Sequence, residues 1–175
     1  MGLRKPSAEE YPSAYAPYVE AAEDGDGVAL LRAQLKEVTE LFGGLTESQG
    51  TFRYAPGKWS LKDLLLHLSD AERIFAYRCL RFGRGDGTPL AGFDEDAYAA
   101  AADAEHQALT DLLTDWQATR AALISLCQGL PDAAWNHRGV SNGKELTARC
   151  LPYICLGHTA HHLAVIRERY LPALK

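Results

Sequence analysis

GHTAHHLAVIRERY, residues 157–170, decides how this chain is read. Leu151, Ile154 and Cys155 ahead of it, and Val165 and Ile166 within it, recur at steps of three and four, the spacing of a helix buried along one stripe. His158 and His162 stand on that same stripe. Residues four apart in an α-helix differ by about 40° in direction and about 6 Å in height, so two imidazoles so placed can converge on one point. His161 could also converge with His158, but it turns about 60° the other way, toward Glu168. The 158/162 pair is therefore preferred, with His161 on the rim. Pro152 in the opening turns marks a late helix start or a bend.

An earlier segment supplies a partner. In TFRYAPGKWS (51–60) a Pro-Gly turn leads to Ser60, a helix N-cap with Asp63 three residues on, and Trp59 and Leu64 flank the cap as a hydrophobic staple. The helix runs to about Phe82 and ends in GRGDGTP. Its wheel puts His67 on one face with Leu64, Ala71, Ile74 and Arg78.

Two further helices complete the count. Val28, Leu31, Leu35, Val38, Phe42 and Leu45 define one from about Gly27 to Gly43-Gly44. Leu109, Leu112, Leu113, Trp116, Leu123 and Leu126 define another within residues 105–129. Residues 94–102 suggest a short helical turn, and Asn142-Gly143 could close a small hairpin. With almost no strand signal, the expected fold is an all-α four-helix bundle with long inter-helix connections. The length of 175 residues predicts a single domain over residues 1–175. Residues 1–25, with Pro6, Pro12 and Pro17 among tyrosines, are expected to form an extended N-terminal arm.

Composition narrows the function. The net charge is -5 with 47% hydrophobic residues, and no dense Lys/Arg cluster offers a footprint for nucleic acid or an anionic membrane. The N-terminus lacks a signal-like apolar run and no stretch reaches membrane-spanning length, so a cytoplasmic protein is expected. Cys79, Cys127, Cys150 and Cys155 form no CxxC pair and read as reduced core residues, Cys155 alone lying close to a histidine in sequence.

One inward histidine is ordinarily a hydrogen-bonded core residue. Three in an apolar seam are harder to satisfy separately, whereas one divalent ion takes three ring nitrogens at once. Three nitrogen ligands leave a position open, where a bound water or thiol would have a lowered pKa. Asp70 and Asp63, a turn to either side of His67, could accept its free ring N–H or play ordinary surface and capping roles. Arg78 and Arg169, on inward faces, either snorkel or clamp an anionic substrate. His106 and His137 sit among polar residues and read as solvated. There is no HExxH for a zincin, no Glu-x-x-His for a di-iron centre, and no phosphate loop or GxSxG elbow.

PGKWSLKDLLLHLSDAERIFAYR (56–78), TPLAGFDEDAY (88–98) and GHTAHHLAVIRERY together resemble the DinB-like superfamily of small four-helix-bundle metalloproteins, particularly its YfiT-like branch, over about residues 28 to 170. The resemblance places the family's metal triad on His67, His158 and His162, and implies a divalent ion, zinc or nickel ahead of manganese or iron. It also implies a homodimer, and a small-molecule substrate handled by a hydrolase or by a transferase that uses a low-molecular-weight thiol. A non-catalytic metal-binding or dimerisation module with the same triad is the alternative.

Overall fold

The computed structural model describes residues 2–174. In chain order the elements are α1 (Ala16–Ala21), α2 (Gly27–Gly43), α3 (Glu47–Gly50), α4 (Leu61–Gly83), α5 (Glu95–Ala102), α6 (Leu109–Gly129), the hairpin β1 (Arg138–Ser141) and β2 (Lys144–Thr147), and α7 (Cys150–Val165). The bundle consists of α2, α4, α6 and α7. Helix α4 packs between α6 and α7, and α2 packs against the same two from the other side. The diagonal pairs are thus α2 with α4 and α6 with α7, each consecutive among the bundle helices. A diagonal step cannot be made by a short antiparallel turn, which explains why the connections over residues 44–60 and 130–149 are long.

The helix ends follow local chemistry. Asp26 caps α2 by accepting from Ala29 N at 2.9 Å. Ser60 and Asp63 form a reciprocal capping box at α4: the Ser60 hydroxyl accepts from Asp63 N at 3.1 Å, and Ser60 N donates to the Asp63 carboxylate at 2.8 Å. Asp94 accepts from Asp96 N and Ala97 N at the start of α5. Pro152 is the third residue of α7, where a missing N–H removes no intrahelical bond. The Asn142-Gly143 turn has positive φ at both positions, +52° and +69°, as a two-residue hairpin requires.

Within the stretch expected to form an extended arm, residues 1–25, the described residues 2–25 depart from that expectation. They coil into two single-turn helices and α1, whose Pro17 sits in the first turn where proline is tolerated. Leu3, Val19 and Ala22 are buried in the core. The closest approach is at Gly157, where a Cβ would stand 1.7 Å from the carbonyl oxygen of Tyr18. Only glycine lets α1 lie on α7 at that distance, and the contact brings Tyr18 beside His158.

Two apolar clusters fill the interior. One gathers Leu31, Ala71, Phe75, Leu123, Ile154, Cys155 and Leu156, and the other Val38, Leu64, Leu68, Trp116, Leu163 and Ile166. On each bundle helix polar residues fall between the two sets: Gln34 on α2, Glu72 on α4, Arg120 on α6, and His158 and Thr159 on α7. A polar layer therefore crosses the middle of the bundle. Among the described residues, no helix is long and apolar enough to cross a membrane.

Candidate metal centre

His67 comes from the second turn of α4, and His158 and His162 from successive turns of α7, the helix packed against it. The structure brings the three rings together. His67 Nε2 lies 2.9 Å from His158 Nε2, and His162 Nε2 lies 3.1 Å from the same atom. One ring nitrogen from each residue falls within a 4.8 Å cluster, with His67 and His158 buried and His162 half-buried.

Aromatic residues enclose the cluster. The Trp59 ring tilts over His67 at 4.7 Å between centroids, and the edge of Tyr18 meets His158 at 5.5 Å. The Trp59 carbonyl is held in turn by the Tyr170 hydroxyl at 2.7 Å. Tyr170 reaches it because the chain after α7 widens into a π-turn over Ile166–Tyr170. That widening also changes the register of the last turn: Arg169 is exposed and pairs with Glu168 rather than facing inward.

Burial holds all three histidines neutral. It pushes His67 down to about 4 and His162 to about 3, and drives His158 well below the ordinary imidazole range, helped there by the neighbouring histidines and the Arg120 charge. A neutral ring has one N–H and one in-plane lone pair, so His158 Nε2 can make a hydrogen bond with only one of its two neighbours. A cation at the centre accepts all three lone pairs together. Zinc–nitrogen bonds of 2.0–2.1 Å at tetrahedral angles put donor nitrogens about 3.3 Å apart, close to the two separations from His158 Nε2, 2.9 and 3.1 Å. The donor set fits a divalent ion.

The other sequence candidates are dispersed. His161 is exposed, its ring 5.1 Å from His162 and 6.3 Å from Tyr18, on the rim of the cluster. Asp70 pairs with Arg73 at 3.6 Å, and Asp63 belongs to the Ser60 capping box and to Arg53 at 2.6 Å. Both are thereby engaged away from the triad. Cys155 is packed in the apolar core, where burial raises its thiol well above the ordinary range. The four cysteines are free and buried. Arg78 is buried and lines a cavity of about 170 Å³ that reaches His158.

Sequence reasoning missed the neighbouring polar layer. Arg120 makes a bidentate pair with Glu72, Nε to Oε1 at 2.6 Å and Nη2 to Oε2 at 2.8 Å. It also donates to Gln34 Oε1 at 2.8 Å and to the Thr159 hydroxyl at 3.1 Å, and stacks over Trp116. Gln34 donates to the carbonyl of Leu156 at 3.0 Å. All four bundle helices meet at this guanidinium, one residue along α7 from His158. The available signal was a charged residue at a seam position: Arg120 falls four after Trp116 and three before Leu123.

A family profile described as the DinB superfamily matches residues 30–166. Among solved structures, the chain is similar to YfiT from Bacillus subtilis, described as a probable metal-dependent hydrolase with an unusual four-helix bundle topology. The identity is 20% and the TM-score 0.72, over 81% of this chain and 82% of that one. A mycothiol-dependent maleylpyruvate isomerase is similar at 14% identity and a TM-score of 0.64, over 79% of this chain but 58% of its own length. At such identities the likeness is one of fold. No match was found among curated proteins.

Proposed function

The chain belongs to the DinB superfamily, and from that premise we propose that it is a metal-dependent enzyme in which His67, His158 and His162 hold a divalent cation beside a small-molecule pocket. The observation that carries this reading is the convergence of three neutral, sheltered Nε2 atoms from two helices. Neutral imidazole donors suit zinc and nickel. When bound, such an ion supplies Lewis acidity at whatever position the three nitrogens leave open.

The chain's own residues supply the rest. The tilted contact of Trp59 with His67 and the edge-on contact of Tyr18 with His158 hold the ring planes and exclude bulk water from two sides. Burial, with the neighbouring histidines and the Arg120 charge adding to it, opposes protonation of His158 and keeps its lone pair available. One wall of the 170 Å³ cavity is His158 itself, so a small molecule can approach the cluster. That opening favours catalysis over storage, because a storage or structural site would be closed on all sides. Similarity to a mycothiol-dependent enzyme makes a low-molecular-weight thiol the co-substrate to try first, in transfer or isomerisation, with water in hydrolysis as the other choice.

Elemental analysis of the purified protein, followed by turnover assays with cellular thiols and electrophiles, tests the proposal. About one divalent ion per chain is expected, with activity lost on chelation and restored by the metal. Changing His67, His158 or His162 to Ala should weaken binding at least about 100-fold, beyond the 10–100-fold typical of supporting residues, while His161→Ala should retain it. Loss at 161 together with retention at 162 would overturn the ligand assignment.

A further inference from the structure

Among the described residues, three cationic side chains are buried: Lys62, Arg78 and Arg120. Lys62 pairs with Glu47 and donates to the carbonyl of Gln107 at 2.6 Å. Arg120 has the Glu72 carboxylate. Arg78, at 3% exposure, has no carboxylate within ion-pair distance among the described residues. Nη2 donates to the carbonyl oxygen of Ala91 at 2.9 Å, and the Tyr15 hydroxyl is a further hydrogen-bond partner. A guanidinium carries five N–H groups, so most of its donor capacity is left over, in a place where an uncompensated charge is costly.

The surroundings hold the group in place without neutralising it. Phe75 lies against the guanidinium at 5.4 Å and Phe93 at 6.0 Å from their ring centroids. Tyr15 stands edge-on to Phe75 at 6.4 Å. These residues, with Tyr18 and His158, line the 170 Å³ cavity. That volume is close to the roughly 150 Å³ of an apolar cavity known to take a single benzene ring. Glu95, the acidic residue on the lining, is exposed at the mouth rather than paired with Arg78.

We propose that this cavity is the substrate pocket and that it takes a small organic carboxylate, whose anionic end is bound by Arg78 and whose flat apolar body lies between the aromatic walls, reaching toward His158. The inference rests on the functional reading above and adds to it the substrate's chemical class. Arg78 is the specificity-determining residue: its planar fork matches the two oxygens of a carboxylate, and the incoming anion is the missing counter-ion.

The test uses benzoate and benzamide, which share shape and differ in charge, titrated into the zinc-loaded and the zinc-free protein by ligand-observed NMR. Benzoate should bind at least about 10-fold more tightly than benzamide in both forms, and Arg78→Met should remove that preference while leaving the bound metal unchanged. Arg78→Lys, which keeps the charge and loses the fork, should retain part of it and serves if the Met variant does not fold. Equal binding of the two probes to the parent protein would overturn the proposal. So would a preference that survives Arg78→Met but disappears on removing zinc, since benzoate would then be a ligand of the metal alone. Failure of the parent protein to bind zinc would sink the metal-enzyme reading while leaving the carboxylate preference of the zinc-free protein to stand or fall separately.

Discussion

Removing the carboxylate of Glu72 should be among the most damaging single changes in the bundle. The Arg120–Glu72 side chains are 0% and 2% exposed, so Glu72→Ala leaves a guanidinium in the core with the uncharged Gln34, Thr159 and Leu31 oxygens as its hydrogen-bond partners. Breaking a buried pair from one side costs about 3–5 kcal/mol. At about 2–4 °C per kcal/mol for a chain of this size, the melting temperature should fall by roughly 6–20 °C. Replacing both partners together, Glu72→Leu with Arg120→Met, removes the stranded charge and should recover most of the loss. Urea denaturation of the metal-free protein measures Glu72→Ala, the single changes Glu72→Leu and Arg120→Met, and the double variant. A Glu72→Ala cost under about 1 kcal/mol, or a double variant as unstable as the sum of the singles, would refute the view that the pair is desolvated and mutually dependent.

Two other perturbations follow from the same interior. The metal-free protein should lose stability as pH falls: His67 takes its proton at about 4 when folded and near 6.5 when unfolded. Its contribution is therefore complete above about pH 6.5 and lost progressively toward pH 4, roughly 3 kcal/mol in all, which denaturation midpoints across that window would register as a falling curve rather than a flat one. Gly157→Ala puts a methyl against the backbone carbonyl of Tyr18, which cannot swing aside. It should cost about 1–3 kcal/mol and loosen α1, made visible by faster proteolytic cleavage within residues 1–25.

Much of the architecture is legible in the chain because it is written locally. The three-and-four spacing of Leu31, Val38 and Phe42, or of Leu112, Trp116 and Leu123, specifies which face is buried, and Ser60 with Asp63 announces a helix start without tertiary help. The triad is legible for the same reason: His158 and His162 share a face by helical geometry alone, and His67 lies on an apolar stripe. What resists reading depends on contacts between distant segments. The packing of α1 on α7 turns on Gly157, a glycine in the middle of a helix whose only signal is that it costs helix propensity. Arg120 stands at a seam position between Trp116 and Leu123, but nothing local names Glu72 as its partner until the bundle sets the two opposite one another. Arg169 is misjudged because a regular 100° wheel cannot anticipate the π-turn over Ile166–Tyr170. Asp70 falls a turn from His67, yet Arg73 beside it takes its carboxylate.

The most direct test is X-ray absorption at the edge of zinc loaded stoichiometrically into the chain. Three imidazole nitrogens at about 2.0–2.1 Å, with a further light-atom ligand that a small thiol replaces with sulfur near 2.3 Å, is the result expected from His67, His158 and His162. A first shell already containing sulfur without added thiol, or one unchanged by His158→Ala, would contradict it.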